Sequence, residues 1–179
     1  MSPNASFELA TELREPHGAP IGEVFAFVSG LYFRGKLTYA RAFAESGDIR
    51  VITTNRGLLP SDEPVGPRDL ADFAAVDLSD AGEEFLVPFL RDAKRLKSRA
   101  SGGARFVLLG SIATNKYVAP LVEVFGEELL FPRDFIGRGD MSRGGLLLRA
   151  AAAKQELDYI PVATAVRHGK RPPKLAPLR

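Results

Sequence analysis

The 179 residues contain no cysteine and no tryptophan, and only two histidines and two methionines. Without cysteine there are no disulfides, no thiolate nucleophile and no zinc-thiolate site, which fits a reducing compartment. His17 and His168 both lie outside the segments that read as regular structure, so a Ser-His-Asp relay or a histidine metal cluster requires a terminus to fold back over the site. Apolar runs stay far short of the roughly 18 residues a membrane span needs. Met1-Ser2-Pro3-Asn4 has neither the charged start nor the apolar stretch of a secretory signal, so a cytoplasmic chain is expected and the Asn4-Ala5-Ser6 sequon has no bearing. A Gly-x-Ser-x-Gly elbow and a Gly-x-Gly-x-x-Gly fingerprint after the first expected strand are also missing, which removes esterase and hydride-transfer chemistry. Neither a metal nor a cofactor is expected.

What is present is an ordinary globular composition, 45% hydrophobic and 26% charged. A chain of this length buries about two-thirds of its surface on folding. The net charge of +2 hides an asymmetry: residues 167–179 carry five Lys or Arg and no acid, leaving the remainder at −3. This basic, proline-rich tail reads either as an arm for phosphates or an acidic partner, or as a solvated terminus.

Three parts are expected: an N-terminal extension over 1–22, one α/β domain over 23–163, and the tail over 164–179. Within the domain, strand-like runs alternate with amphipathic stretches, the pattern of a parallel sheet flanked by helices. Strands are predicted at 23–28, 50–54, 104–109, 128–131 and, shorter, 159–162. Helices are predicted over 36–46, stopped by Gly47, over 81–99, and, where the 110–117 segment turns into a helix, onward to about Phe125, with Pro120 leaving that start undefined. Three prolines and two glycines over 55–67 predict a long irregular loop or lid. The expected fold is a three-layer α/β/α sandwich on a mainly parallel four- or five-stranded sheet.

In such sheets ligands bind beyond the carboxyl ends of the strands, which selects four segments. The strongest is Gly137-Arg138-Gly139-Asp140-Met141-Ser142-Arg143-Gly144-Gly145. Its glycines allow backbone N–H groups to approach an anion, Ser142 can cap the following helix, and Arg138 and Arg143 offer two guanidinium forks. Asp140 is the acid/base candidate. Gly110, Ser111, Asn115 and Lys116 form a second ligand-facing turn, whose plainer reading is capping by Ser111 or Thr114. Gly30-Leu31-Tyr32-Phe33-Arg34-Gly35-Lys36-Leu37 matches the phosphate-binding P-loop except at Leu37, where Ser or Thr belongs, but its bulky Leu31, Tyr32 and Phe33 and the lack of a later strand ending in Asp argue against a nucleotide triphosphatase. Here Ser29, Arg34 and Lys36 can line a pocket walled by Tyr32 and Phe33, or both aromatics can be core. Asn55 and Arg56 close the second strand, and Arg56 either reaches the pocket or pairs with Asp62 or Glu63.

The order of these motifs resembles a bacterial family of small α/β proteins. The residues that carry it are Ser29-Gly30-Leu31-Tyr32, then Asn55-Arg56-Gly57-Leu58-Leu59-Pro60-Ser61-Asp62-Glu63-Pro64, then Leu109-Gly110-Ser111 followed by Tyr117. That family is distantly similar to the uracil-DNA-glycosylase-like fold, including the related domain of archaeosine synthase. The resemblance spans about residues 23–161 and implies a nucleobase or modified-nucleoside theme. The Gly-Gln-Asp-Pro and His-Pro-Ser loops of uracil glycosylases are not in this sequence, so no catalytic residue is transferred. The expectation is a protein that binds or processes a nucleotide, nucleoside or nucleic-acid base, with N-glycosidase- or transferase-like chemistry. The alternative is a non-catalytic nucleic-acid or nucleotide module using the tail and the helix face Arg91, Lys94, Arg95, Lys97 and Arg99.

Overall fold

The computed structural model describes residues 6–45, 48–77, 82–112, 115–166 and 169–175. Gly47, Thr114, Arg167, His168 and Arg179 lie outside the described residues. Among the described residues, no helix is long and apolar enough to cross a membrane.

The chain enters through α1 (Glu8–Glu12) and the two-residue strand β1 (Ala19–Pro20), and then departs from expectation. The expected strand at 23–28 lies within a helix, α2 (Ile21–Val28). Apolar residues at 21, 24, 25 and 28 have helical spacing, and Ala26 and Phe27 fill the gaps between them and hide the period. Ile21 and Val24 are buried, Phe25 packs near Phe33 and Phe73, and Phe27 and Val28 face outward.

Gly30, at φ +68°, turns the chain directly into α3 (Gly30–Phe43). The whole P-loop-like stretch is therefore helical and forms no phosphate-cradling loop. Next, β2 (Arg50–Ile52) folds back on β3 (Leu58–Pro60) as an antiparallel hairpin. The Thr53 N–H and hydroxyl both donate to the Gly57 carbonyl, each at 2.9 Å, and Gly57 takes a positive φ of 75°. The stretch expected to be irregular thus supplies β3 and also β4 (Pro64–Val65), which pairs antiparallel with β1. Its prolines sit on short strands in small two-stranded sheets, where a missing N–H is tolerated. It leads into α4 (Pro67–Ala75), where the Asp69 carboxylate accepts the Gly66 N–H at 2.6 Å.

The second half follows the sequence closely. α5 (Glu83–Arg99) has acids in its first turn and bases in its last, matching the helix dipole. β5 (Phe106–Val107), α6 (Asn115–Phe125) and β6 (Leu129–Pro132) form a parallel crossover, with Phe106 opposite Leu129. Pro120 lies inside α6. α7 (Asp140–Ala153) follows, and β7 (Tyr159–Pro161) joins β6 antiparallel.

The expected four- or five-stranded mainly parallel sheet, and with it the α/β/α sandwich, is therefore not formed. The described strands make two two-stranded antiparallel sheets and the mixed sheet β5–β6–β7. Three local effects account for this: 23–28 is helical, β2 closes onto β3 across a five-residue turn at low entropic cost, and β7 enters reversed.

The larger core places Phe85, Phe89 and Ala93 of α5 and Val118, Leu121 and Phe125 of α6 around Phe131 and Phe135. A smaller core joins Leu13, Ile21, Val24, Val51, Val65 and Phe73. α3 bridges the two, since Tyr39 belongs to the larger core and Phe33 packs against the smaller. The Tyr39 hydroxyl lies 2.6 Å from that of Tyr159 and accepts the Leu157 N–H at 2.9 Å.

The closest helix contact decides where the site lies. A Cβ at Gly35 would stand 2.7 Å from the Gly144 carbonyl oxygen, and one at Gly144 would stand 2.8 Å from the Leu31 carbonyl oxygen. α3 and α7 cross backbone to backbone at these two glycines, bringing the first turn of α7 alongside Tyr32 and Lys36.

Candidate functional site

Two strand-end turns of the parallel pair meet α3 at this crossing. The Tyr32 hydroxyl donates to the Leu109 carbonyl at 3.0 Å, tying α3 to the turn that contains Gly110 and Ser111. Its ring meets Phe135 edge-on, with centroids 6.3 Å apart. The Lys36 ammonium lies 4.0 Å above the Tyr32 ring centroid. Tyr32 is therefore covered on this face by Lys36 and does not stand open for a stacking base, and Phe33 is packed against Phe25.

Arg143 reaches the same place from the first turn of α7. Its Nε donates to the Phe135 carbonyl at 3.3 Å, its guanidinium lies 5.5 Å from the Phe135 ring centroid, and Nη1 stands 3.5 Å from Asp140 Oδ1. The Arg143 side chain is 12% exposed and that of Asp140 is 68% exposed. Two cations thus share a half-buried place with one carboxylate that solvent screens well.

The electrostatics follow from that imbalance. Burial lowers the Lys36 pKa from its usual 10.5 to about 8; Asp140 opposes the shift and Arg143 adds to it. Burial likewise pushes the Tyr32 phenol up to about 12, with Arg143 pulling the other way. Lys36 is protonated at neutral pH, yet its charge lacks full compensation.

Gly139, not Ser142, is the N-cap residue of α7. Ser142 lies within the first turn, where its hydroxyl oxygen accepts Arg138 Nη1 at 3.3 Å. Arg138 also donates to the Asp134 carbonyl at 2.9 Å and to the Pro173 carbonyl at 3.4 Å. The basic tail therefore runs beside this loop, which the sequence had not connected with it. Gly137, at φ +73°, faces the Lys170 carbonyl so closely that no side chain fits.

Of the remaining expected site residues, Gly110 and Ser111 follow Leu109, whose carbonyl accepts the Tyr32 hydroxyl, and Asn115 and Lys116 open α6. Ser29 is exposed at the corner between α2 and α3. Asn55 and Arg56 go elsewhere. Asn55 donates to the Asp72 carbonyl at 3.2 Å, while Arg56 pairs with Asp69 at 2.6 Å and Asp72 at 3.2 Å and lies over Phe73. The acids that hold Arg56 are on α4, not Asp62 or Glu63. On α5, Arg91 and Arg95 lean on Asp92 and Lys97 pairs with Glu128, while Lys94 and Arg99 are exposed. Among the described residues, no three acidic or histidine side chains gather as a metal site.

Comparisons with protein-family models, with curated proteins and with solved structures return no match. The resemblance to the glycosylase-like family rests on motif order. Its first motif, Ser29-Gly30-Leu31-Tyr32, stands at a helix–helix corner and not at a strand end.

Proposed function

We propose that this chain binds a small phosphorylated ligand, a nucleotide or phosphorylated nucleoside, where α3, the 109–111 turn and the start of α7 meet. The observation that carries this reading is that Lys36 and Arg143 are half-buried together against the single, exposed carboxylate of Asp140. A phosphate there supplies the missing negative charge and accepts hydrogen bonds from both cations. Processing at the glycosidic bond, the theme implied by the resemblance, falls to Asp140, which can stabilise positive charge on the sugar or activate water.

The test is calorimetric titration with AMP and adenosine. AMP binds and adenosine binds far more weakly; Lys36→Met and Arg143→Ala each weaken AMP about tenfold or more, the scale of one charge-assisted contact. Asp140→Asn tightens AMP binding while abolishing any turnover. Equal binding of adenosine and AMP, or an unchanged Kd in both cation variants, refutes the reading. The rival nucleic-acid surface on α5 has less in its favour, because Arg91, Arg95 and Lys97 already have carboxylate partners.

A further inference from the structure

The phosphate reading leaves residues 169–175 unused, yet this segment is fitted to the loop that ends in the site. Arg138 donates to the Pro173 carbonyl, and Gly137 receives the Lys170 carbonyl where a Cβ would collide. A Cβ on Gly169 would strike the Ile136 side chain, and one on Gly145 would meet Leu175 at 3.6 Å. Glycines at 137 and 169 allow this approach from both sides. The same segment carries Lys170, Arg171 and Lys174, all exposed. It lies against Arg138, which is joined through Ser142 to the turn holding Arg143 and, beyond it, Lys36. Six cations, Lys36, Arg143, Arg138, Lys170, Arg171 and Lys174, are thus carried by α3, the start of α7, the loop before it and the tail segment, with the acids Asp134 and Asp140 on the same loop. Seating a basic segment beside basic side chains is opposed by like-charge repulsion unless an anion lies between them.

We infer that the tail segment is the second wall of the site, and that the ligand carries two or more phosphates in a row, as a nucleoside di- or triphosphate does. One phosphate lies between Lys36 and Arg143; the next extend past Arg138 toward Lys170, Arg171 and Lys174. The inference rests on the phosphate reading above and adds the length of the anion to it.

The experiment titrates the full chain with AMP, ATP and a short single-stranded oligonucleotide at one fixed ionic strength. It is repeated with K170A/R171A/K174A and with K36M, and a melt of each variant reports that it is folded. Three exposed charge pairs predict that ATP binds about tenfold more tightly than AMP to the native chain. The triple variant removes that preference and leaves AMP within about twofold, whereas K36M weakens both nucleotides. An ATP preference that survives the triple variant overturns the role of the tail and leaves the phosphate site standing. Failure of both nucleotides to bind the native chain overturns the site and this inference together. Binding of the oligonucleotide alone, lost in the triple variant, replaces the inference with a nucleic-acid surface.

Discussion

Lys36 shows what a single side chain costs and what it makes available. In the unfolded chain its amine holds its proton to about pH 10.5, whereas the folded chain releases it near pH 8. Between those values the unfolded state binds more protons, so this group makes stability rise with pH; below pH 8 its charge is a burden on the fold. Lys36→Met is therefore expected to stabilise the protein at pH 7 by up to about 3 kcal/mol, with the gap to the native chain closing between pH 8 and pH 10. Urea denaturation at three pH values reads this directly, and a pH-independent gap contradicts it. Tyr39 behaves in the opposite way. Its buried hydroxyl accepts the Leu157 N–H and meets the Tyr159 hydroxyl, and burial raises the pKa of both phenols. Tyr39→Phe orphans two groups and is expected to cost about 1–3 kcal/mol. A loss below about 0.5 kcal/mol in the same assay means that water replaces the bond.

At the scale of elements, the crossing of α3 and α7 organises the site. Gly35→Ala and Gly144→Ala each push backbone against backbone and are expected to destabilise by at least about 2 kcal/mol. Gly102→Ala, at a turn where a methyl meets open space, is expected to stay within about 0.5 kcal/mol. Chemical denaturation of the three variants separates tight packing from a generic glycine effect. The same crossing explains what was legible in the sequence. α5, α6 and β6 declared themselves through periodicity, end charges and bounded length. α2 did not, because Ala26 and Phe27 filled the gaps in its helical period. Gly35-Lys36 fits a phosphate-loop pattern as well as a helix crossing, because a glycine before a lysine looks the same whether it frees a loop or admits a second helix. Arg143, Asp140 and Lys36 come together through a helix crossing that no local pattern encodes. Arg56 was misplaced for a related reason, since its partners on α4 come from a segment with no assigned element.

At the scale of the whole molecule, the structure is two apolar cores bridged by α3, with charge gathered where α3 meets α7 and the tail. The turns after β5 and β6, the one parallel pair among the described strands, both reach the α3–α7 crossing, where the Leu109 carbonyl accepts from Tyr32 and the Phe135 carbonyl from Arg143. Under the proposal, Lys36, partly stripped of water, is the group that pairs with the phosphate. A phosphate that pairs with it must raise its pKa again, so binding at pH 8 draws protons from solution. The measurement is calorimetric titration of AMP at pH 8 in two buffers of different ionisation enthalpy, with the native chain and Lys36→Met. Uptake of about half a proton per AMP is expected for the native chain, given a pKa of about 8, and none for the variant. Binding without proton uptake, or equal uptake in both proteins, contradicts it.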